Sequence, residues 1–207
     1  MEDKKLILIG EMHGTKEIPN KIKELCQSIQ EDIIYCLELP IQIKSLFLNF
    51  LNNKLSLNQF LQNNLVKEAV QDGRITPALV ESLKQIKHKI NLEFVDDLES
   101  DIIKRDENIA INFVNIVKKH PNKKIILHCG NFHINDKIIM FENRMVKPAR
   151  LFLPKEILNQ CHTVIFLPSE GKYYNHGIKK VIYKTTYLKS TAEIKYTYLK
   201  VSPSYFK

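Results

Sequence analysis

The chain has 207 residues, of which 44% are hydrophobic and 26% charged, and its formal net charge is +8. This length suits one domain with a sizeable core, and the composition is that of an ordinary globular protein. Most of the positive charge is lysine spread along the sequence, and no arginine-rich or glycine-rich arm is interleaved with aromatic residues. A protein that reads nucleic acid is therefore not expected.

No segment of the sequence predicts insertion into a membrane. Residues 1–5 lead directly into an apolar run that is too short for a signal peptide. No stretch approaches the roughly 20 apolar residues that a membrane span needs. The four cysteines have neither the spacing of a disulfide framework nor a paired CxxC. A cytoplasmic location is the expectation, and export without a cleaved signal stays open.

Five short apolar runs predict the strands of a central sheet. Continuous apolar runs are typical of strands that are buried on both faces of a parallel sheet. The predicted strands are, in chain order, Leu6 to Ile9, Ile33 to Leu37, Leu92 to Val95, Lys124 to Cys129 and Thr163 to Leu167.

Apolar residues at helical spacing separate the first four predicted strands. One helix is predicted to begin between Thr15 and Ile18, and a long one covers about Glu99 to Lys119. Between strands two and three lies a helical excursion, whose clearest break is the Asp72-Gly73 pair. Its predicted pieces are Ile43 to Leu51, Leu57 to Val70 and Pro77 to Ile86.

The C-terminal part has a different pattern, since apolar and polar residues alternate around Ile194, Tyr196 and Tyr198. This period of two predicts strands at a sheet edge between Lys179 and Val201. The whole sequence predicts an α/β fold with a mostly parallel central sheet flanked by helices. We interpret residues 1–207 as one domain with a core at 5–170 and a β-rich tail at 171–207.

Polar residues follow the first four predicted strands. They are Glu11 and His13 after strand one, Glu38 after strand two, Asp96 and Asp97 after strand three, His128 near the end of strand four, and Asn131 and His133 after it. Each has a structural explanation when it is taken alone. Because the carboxyl ends of parallel strands share one edge of the sheet, these residues are together expected to form one site. Carboxylates gathered there repel unless cations or shared protons balance them.

Three further residues belong to the same hypothesis. Asp106 falls on the apolar stripe of the long predicted helix, where an ionised carboxylate is costly unless it is paired. Arg74 and Arg105 stand out in a chain whose usual cation is lysine, and a guanidinium can bind carboxylate or phosphate through two hydrogen bonds. For Arg74, a surface cation is an equally good interpretation.

The ordered series of motifs resembles the superfamily of erythromycin-esterase-like and ChaN-like haem-binding proteins, which includes the Tiki-type proteases. The motifs are Gly10-Glu11-Met12-His13-Gly14-Thr15, the strand ending in Glu38, Asp72-Gly73-Arg74 with Thr76, Asp96, Arg105-Asp106 with Asn108 and Ala110, and Gly130-Asn131-Phe132-His133. The resemblance covers roughly residues 5–135. It implies an α/β fold with a polar cleft built from the glutamate and histidine of GExHG, the second-strand glutamate and the GNxH histidine. Members include esterases, metal-dependent proteases and haem carriers.

The leading hypothesis is a hydrolase that activates water and acts on a small-molecule or peptide substrate. His13 or Glu38 would remove a proton from water while the other holds the orientation. His133 would be the general acid or would stabilise an oxyanion, and the two arginines would bind an anionic part of the substrate. No GxSxG motif is present, so a covalent serine is not expected. The candidate catalytic residues are Glu11, His13, Glu38, Arg74, Asp96, Arg105, Asp106 and His133.

Three alternatives stay open at the level of sequence. Zn or Mn is the first, since carboxylates and imidazoles are suitable ligands, and its candidate ligands are Glu11, His13, Glu38 and His133. Haem with an axial Tyr or His from the tail is the second. The third is an effector module that keeps the cleft without turnover.

Overall fold

The computed structural model describes residues 4–98, 104–141, 144–181, 191 and 193–206. The strands are β1 (Leu6–Glu11), β2 (Ile33–Pro40), β3 (Ile90–Asp96), β4 (Lys124–Gly130), β5 (Ile139–Phe141), β6 (Arg144–Val146), β7 (Cys161–Tyr174), β8 (Ile178–Lys180) and β9 (Ile194–Val201). The α-helices are α1 (Glu17–Ser28), α2 (Lys44–Leu51), α3 (Leu57–Gln62), α4 (Asn64–Gln71), α5 (Pro77–Ile86), α6 (Arg105–Lys119) and α7 (Lys155–Leu158), with 3-10 helices at Ile41–Ile43 and Ala149–Phe152.

The central sheet has the strand order β3-β2-β4-β1-β7, and these strands are all parallel. On its side opposite to β1, the long strand β7 pairs with β9 in parallel orientation, and its far end pairs with β8 in antiparallel orientation. The predicted α/β class, its mostly parallel sheet and the C-terminal β edge are thus confirmed. Because the five central strands run the same way, β1 to β4 end at one edge of the sheet.

The two faces of the sheet bury separate apolar layers. Successive side chains of a strand point to opposite faces, so Ile7 and Ile9 pack against the layer of α1 to α5, while Leu6 and Leu8 pack against the layer of α6 and α7. Every residue of β1 is buried, as expected of a strand covered on both faces. This double cover holds the strand ends, and therefore the side chains after them, in fixed positions.

One predicted helix is divided in the structure. The stretch Leu57 to Val70 reads as a single piece in sequence, but Asn63 has an extended backbone between α3 and α4, and its side chain accepts a hydrogen bond from Leu65 N. Asparagine favours such a cap over a place inside a helix. Residues 99–103 of the long predicted helix and 182–190 of the predicted tail strands lie outside the described residues.

Gly14, the residue that follows His13, forms backbone hydrogen bonds with three distant parts of the chain. Its backbone N–H donates to Gly73 O at 3.0 Å, and its carbonyl accepts from Tyr174 N and Ser204 N at 3.0 Å each. Its φ is +75°, and a Cβ placed there would lie 1.8 Å from Tyr174 O. Only glycine fits this position, so the loop that carries His13 is held by the Gly73 turn and by the C-terminal segments.

No helix in the described ranges is both long enough and apolar enough to cross a membrane.

Candidate functional site

The structure brings the eight candidate residues into one continuous polar network at the carboxyl edge of the sheet. Glu11 is the last residue of β1, Glu38 lies near the end of β2, and Asp96 ends β3. His133 follows β4, and the first turn of α6 carries both Arg105 and Asp106.

His13 lies between two carboxylates. Its Nδ1 is 2.9 Å from Glu11 Oε1, and its Nε2 is 3.5 Å from Glu38 Oε2. The imidazole is 22% exposed, whereas the side chains of Glu11 and Glu38 are 5% and 3% exposed. Of these three side chains, only that of His13 has appreciable contact with solvent.

Glu38 is the central acceptor of the network. Its Oε1 accepts from Arg105 at 2.7 Å and faces His133 Nε2 at 3.2 Å, while its Oε2 accepts from Gly130 N at 2.7 Å. A Cβ at Gly130 would lie 3.0 Å from His13 Nε2 and 3.5 Å from Glu38 Oε2, which explains why glycine suits the end of β4. Since both oxygens are engaged, Glu38 is well placed to orient its neighbours.

His133 is bound at both ring nitrogens. Its Nδ1 is 2.8 Å from Asp106 Oδ1, and its Nε2 faces Glu38. Asp106 Oδ1 also accepts from Ala149 N at 2.6 Å. The buried acid predicted on the apolar stripe of α6 thus has an imidazole as its partner.

The two arginines are paired inside the protein. Arg105 donates to Asp96 and Glu38 at 2.7 Å each, and Arg74 donates to Asp96 Oδ2 at 3.0 Å and to Asp72 Oδ2 at 2.7 Å. Arg74 is fixed by its turn, because Asp72 Oδ1 also accepts from Arg74 N. These contacts bring neutralising charge to the acidic edge, so an anionic substrate would compete with carboxylates already in place.

The protonation states follow from this arrangement. Burial disfavours the imidazolium of His13, but the hydrogen bond to Glu11 and the charge of Glu38 outweigh it, and the pKa of His13 rises from 6.5 to about 10. Burial likewise lowers the pKa of His133, but the charge of Glu38 and the hydrogen bond to Asp106 outweigh it, and this pKa rises to about 9. The pKa of Glu11 falls to about 2 despite its burial, because His128 and His13 stabilise the carboxylate, and the pKa of Glu38 is also lowered.

A buried pair of Tyr35 and His128 lies behind the site; the sequence placed His128 there but not Tyr35. Tyr35 Oη and His128 Nδ1 are 2.7 Å apart, and His128 Nε2 lies 3.1 Å from Glu11 Oε1. Tyr35 lies in the middle of β2, where an aromatic residue reads as an ordinary strand former. The available signal was that a buried tyrosine hydroxyl needs a polar partner.

A cavity of about 10 Å³ lies inside the cluster. Its polar lining consists of Glu11, His13, Glu38, Arg74 and His128, and leucines complete its wall. This volume is about that of one water molecule.

The residues do not fit a metal ion well. The nitrogens of His13 and His133 face carboxylates at hydrogen-bonding or ion-pair distances instead of converging on a shared point. Within the described residues, no group of three or more His, Cys, Asp or Glu side chains is arranged to hold a metal.

The cavity at the cluster is too small for haem. The space there is about 10 Å³. Away from the cluster, a groove of about 560 Å³ has no His, Cys or Tyr in its lining, and one of about 370 Å³ near the start of β7 contains Cys161 and His162 among mostly polar residues. An axial ligand would have to come from His, Cys, Tyr or Met.

We expect that Zn²⁺ and Mn²⁺ do not raise the melting temperature of the protein. A metal at about 100 times its Kd would raise the free energy of unfolding by about 2.7 kcal/mol. Thermal shift with and without a chelator measures this effect. A saturable rise in Tm that disappears in His13→Asn would contradict the interpretation of the cluster as a set of internal ion pairs.

No family model matches the sequence, and a comparison with curated proteins gives no significant match. The comparison with solved structures gives a clear result. A succinoglycan biosynthesis protein superposes with a TM-score of 0.63 at 13% identity, covering 99% of this chain and 90% of that one. A mutant of erythromycin esterase EreC in its open conformation gives 0.58 at 12% identity, covering 87% and 76% of the two chains.

The type III effector HopBA1 also has this fold, with a TM-score of 0.51 at 13% identity over 84% of this chain and 85% of that one. The fold that the resemblance to the erythromycin-esterase-like superfamily implied is confirmed. At these identities the likeness concerns the fold alone.

Proposed function

We propose that the protein is a hydrolase that uses a bound water to cleave an ester-like bond in a small-molecule or peptide substrate. The observation that carries this proposal is the partly exposed imidazole of His13, held between the buried carboxylates of Glu11 and Glu38. Such a group is oriented for proton transfer to a molecule that approaches from solution. The fold shared with an esterase is consistent with this class of reaction but does not identify the substrate.

The raised pKa of His13 favours the role of proton donor. With a pKa of about 10, the ring is an imidazolium at neutral pH, so it can give a proton to the leaving group but has no free lone pair for water. The base is then a carboxylate, since the pKa values of Glu11 and Glu38 are lowered and both are ionised at neutral pH.

His133 has a complementary part in this scheme. Its pKa of about 9 keeps it positively charged at neutral pH, and it contacts Glu38 from the side opposite to His13. A fixed positive charge near the reacting carbonyl stabilises a developing oxyanion. Arg74 and Arg105 support this arrangement by neutralising Asp96 and Glu38.

The pH profile of hydrolysis tests the proposed roles. A panel of nitrophenyl esters, lactones and peptides would be assayed, and the profile measured on any substrate that is turned over. The rate is expected to be flat near neutral pH and to fall as pH rises through about 9 and then about 10, because His133 and His13 lose their protons there.

The opposite slope would contradict the donor role. If neutral His13 were the base, the rate would increase about tenfold for each pH unit below its pKa. Stability has to be measured in the same buffers, so that unfolding at high pH is not mistaken for titration of the site.

A second candidate is an effector module that keeps the polar cluster without turnover. The small cavity and the internally paired arginines favour it, because neither offers an evident place for a large ligand. Absence of turnover across the whole panel, with a folded wild-type protein, would support this candidate over the hydrolase.

A further inference from the structure

Three polar atoms that make no well-aligned hydrogen bond belong to side chains that line the small cavity. They are Glu11 Oε2, His13 Nε2 and His128 Nε2, all shielded from solvent, although His13 Nε2 lies 3.5 Å from Glu38 Oε2 and His128 Nε2 lies 3.1 Å from Glu11 Oε1. Buried polar atoms normally have partners, and leaving them without any is costly. A water molecule needs two to four such partners and about 10 to 15 Å³, which matches this cavity.

The two oxygens of Glu11 have different surroundings. Oε1 faces His13 Nδ1 at 2.9 Å and His128 Nε2 at 3.1 Å, whereas Oε2 has no partner. Glu38, by contrast, is engaged at both oxygens. Glu11 Oε2 is thus a carboxylate oxygen of the cluster with a free lone pair for a new donor.

Tyr35 determines the hydrogen-bonding direction of His128. The hydroxyl lies 2.7 Å from Nδ1, and when it donates there, the ring proton is on Nε2. The Nε2–H of the imidazole then points toward the carboxylate of Glu11. The side chain of His128 is 2% exposed, so this orientation is set by the protein interior and not by bulk water.

We propose that this cavity binds the attacking water of the hydrolytic reaction, with Glu11 as its base, His128 as its hydrogen-bond donor and Tyr35 as a positioning residue. The water donates one hydrogen to Glu11 Oε2 and accepts one from His128 Nε2. Its second lone pair stays available for the carbonyl carbon. His13 lines the same cavity, and because its Nδ1 is bound to Glu11, Nε2 is the nitrogen that protonates a leaving group entering the cavity.

The chemical step balances within these groups. The water oxygen forms a bond to the carbonyl carbon while its proton passes to Glu11 Oε2. The bond from carbon to the leaving oxygen then breaks, and that oxygen takes the proton of His13. A carboxylic acid and an alcohol are the products. Glu11 then releases the proton from Oε2 and the vacant nitrogen of His13 takes one up by exchange with solvent water, which restores the starting state without a net change in protons.

The catalytic meaning of this site rests on the proposed hydrolase function, but the water itself can be tested without turnover. A high-resolution crystal structure of the wild type is expected to show one ordered water within hydrogen-bond distance of Glu11 Oε2 and His128 Nε2. A cavity that is empty, or filled by a neighbouring side chain, would overturn the proposal even if the protein proves to be an esterase.

The variant Tyr35→Phe tests the positioning role, because it removes only the hydroxyl. Nitrogen NMR is expected to show that His128 no longer keeps its proton on Nε2 alone. With an ester that the wild type hydrolyses, kcat should fall roughly tenfold with little change in KM, as expected for a group that orients another. An unchanged tautomer or an unchanged kcat would remove Tyr35 from the proposal.

Filling the cavity gives an independent test. Leu79 is on its wall, while Leu83 lies one turn further along α5, is also buried and does not line it. Leu79→Phe is expected to displace the water and reduce kcat at least tenfold, whereas Leu83→Phe has a similar packing cost without that loss. Equal kcat in the two folded variants would contradict the proposal, and the wild-type crystal structure decides the question if either fails to fold.

Discussion

His13→Asn is expected to reduce kcat for any substrate found by a factor of roughly 10² to 10⁴, the usual contribution of a positioned acid or base. Asparagine keeps a polar group near Glu11 but cannot donate an acidic proton to a leaving group. The measurement is kcat and KM on purified protein, together with the melting temperature. A small change in Tm with a large loss of kcat would assign the defect to chemistry.

A matched control is His88→Asn, since His88 is exposed and lies at the end of α5 away from the cluster. This variant should hydrolyse the same substrate at the wild-type rate. If His13→Asn keeps more than a tenth of the wild-type kcat, His13 does not transfer a proton in the rate-limiting step.

Glu38→Gln is expected to destabilise the fold by about 3 to 5 kcal/mol, the cost of breaking a buried ion pair by removing one partner. The amide cannot accept all the contacts that Glu38 makes with Arg105, His133 and Gly130 N. Its NH₂ group would also face donors. Urea unfolding of the two proteins measures the difference.

Glu93→Gln is the corresponding control, because Glu93 pairs with Lys44 at 2.5 Å in a more exposed position on β3. Such pairs contribute about 0 to 1 kcal/mol. An equal decrease in the free energy of unfolding in the two variants would show that Glu38 is not the centre of the network.

The effect of Glu38→Gln is also expected to depend on pH. The pKa values of His13 and His133 are raised in the folded state to about 10 and about 9, above the ordinary value of 6.5. Groups raised in this way contribute stability that is fully present below about pH 6.5 and is lost as pH rises through the folded-state pKa. The stability difference between wild type and Glu38→Gln should therefore narrow from pH 7 to pH 10.

Much of the fold could be predicted from sequence because a doubly covered parallel sheet leaves a direct pattern. The continuous apolar run before Gly10 and the alternation of strands with helices follow from burial on both faces. The carboxyl ends of parallel strands lie at the same edge of a sheet, and the structure places Glu11, Glu38 and Asp96 at that edge. The sequence does not predict the division of the helix at Asn63, because the helical spacing of apolar residues continues across the polar stretch Gln62-Asn63-Asn64.

The pairing within the site could not be predicted in the same way. Sequence shows that Arg74 and Arg105 are unusual cations, but an arginine suited to a substrate anion is equally suited to a protein carboxylate. The choice depends on which acids lie within reach, and here Asp96 lies between the two guanidinium groups. For the same reason the sequence predicts a place at the site for His128 but not for its partner Tyr35, whose role follows only from its 2.7 Å distance to His128 Nδ1.

The hydrogen bonds of Gly14 to Gly73, Tyr174 and Ser204 couple the position of His13 to distant parts of the chain. Tyr174 and Ser204 belong to the C-terminal segments beyond the motif series, yet they bind the residue next to His13. A substitution that shifts the backbone of these segments would therefore also move Gly14 and, through one peptide unit, the side chain of His13. Changes in the C-terminal segments are thus expected to alter the orientation of the imidazole to which we assign the role of proton donor.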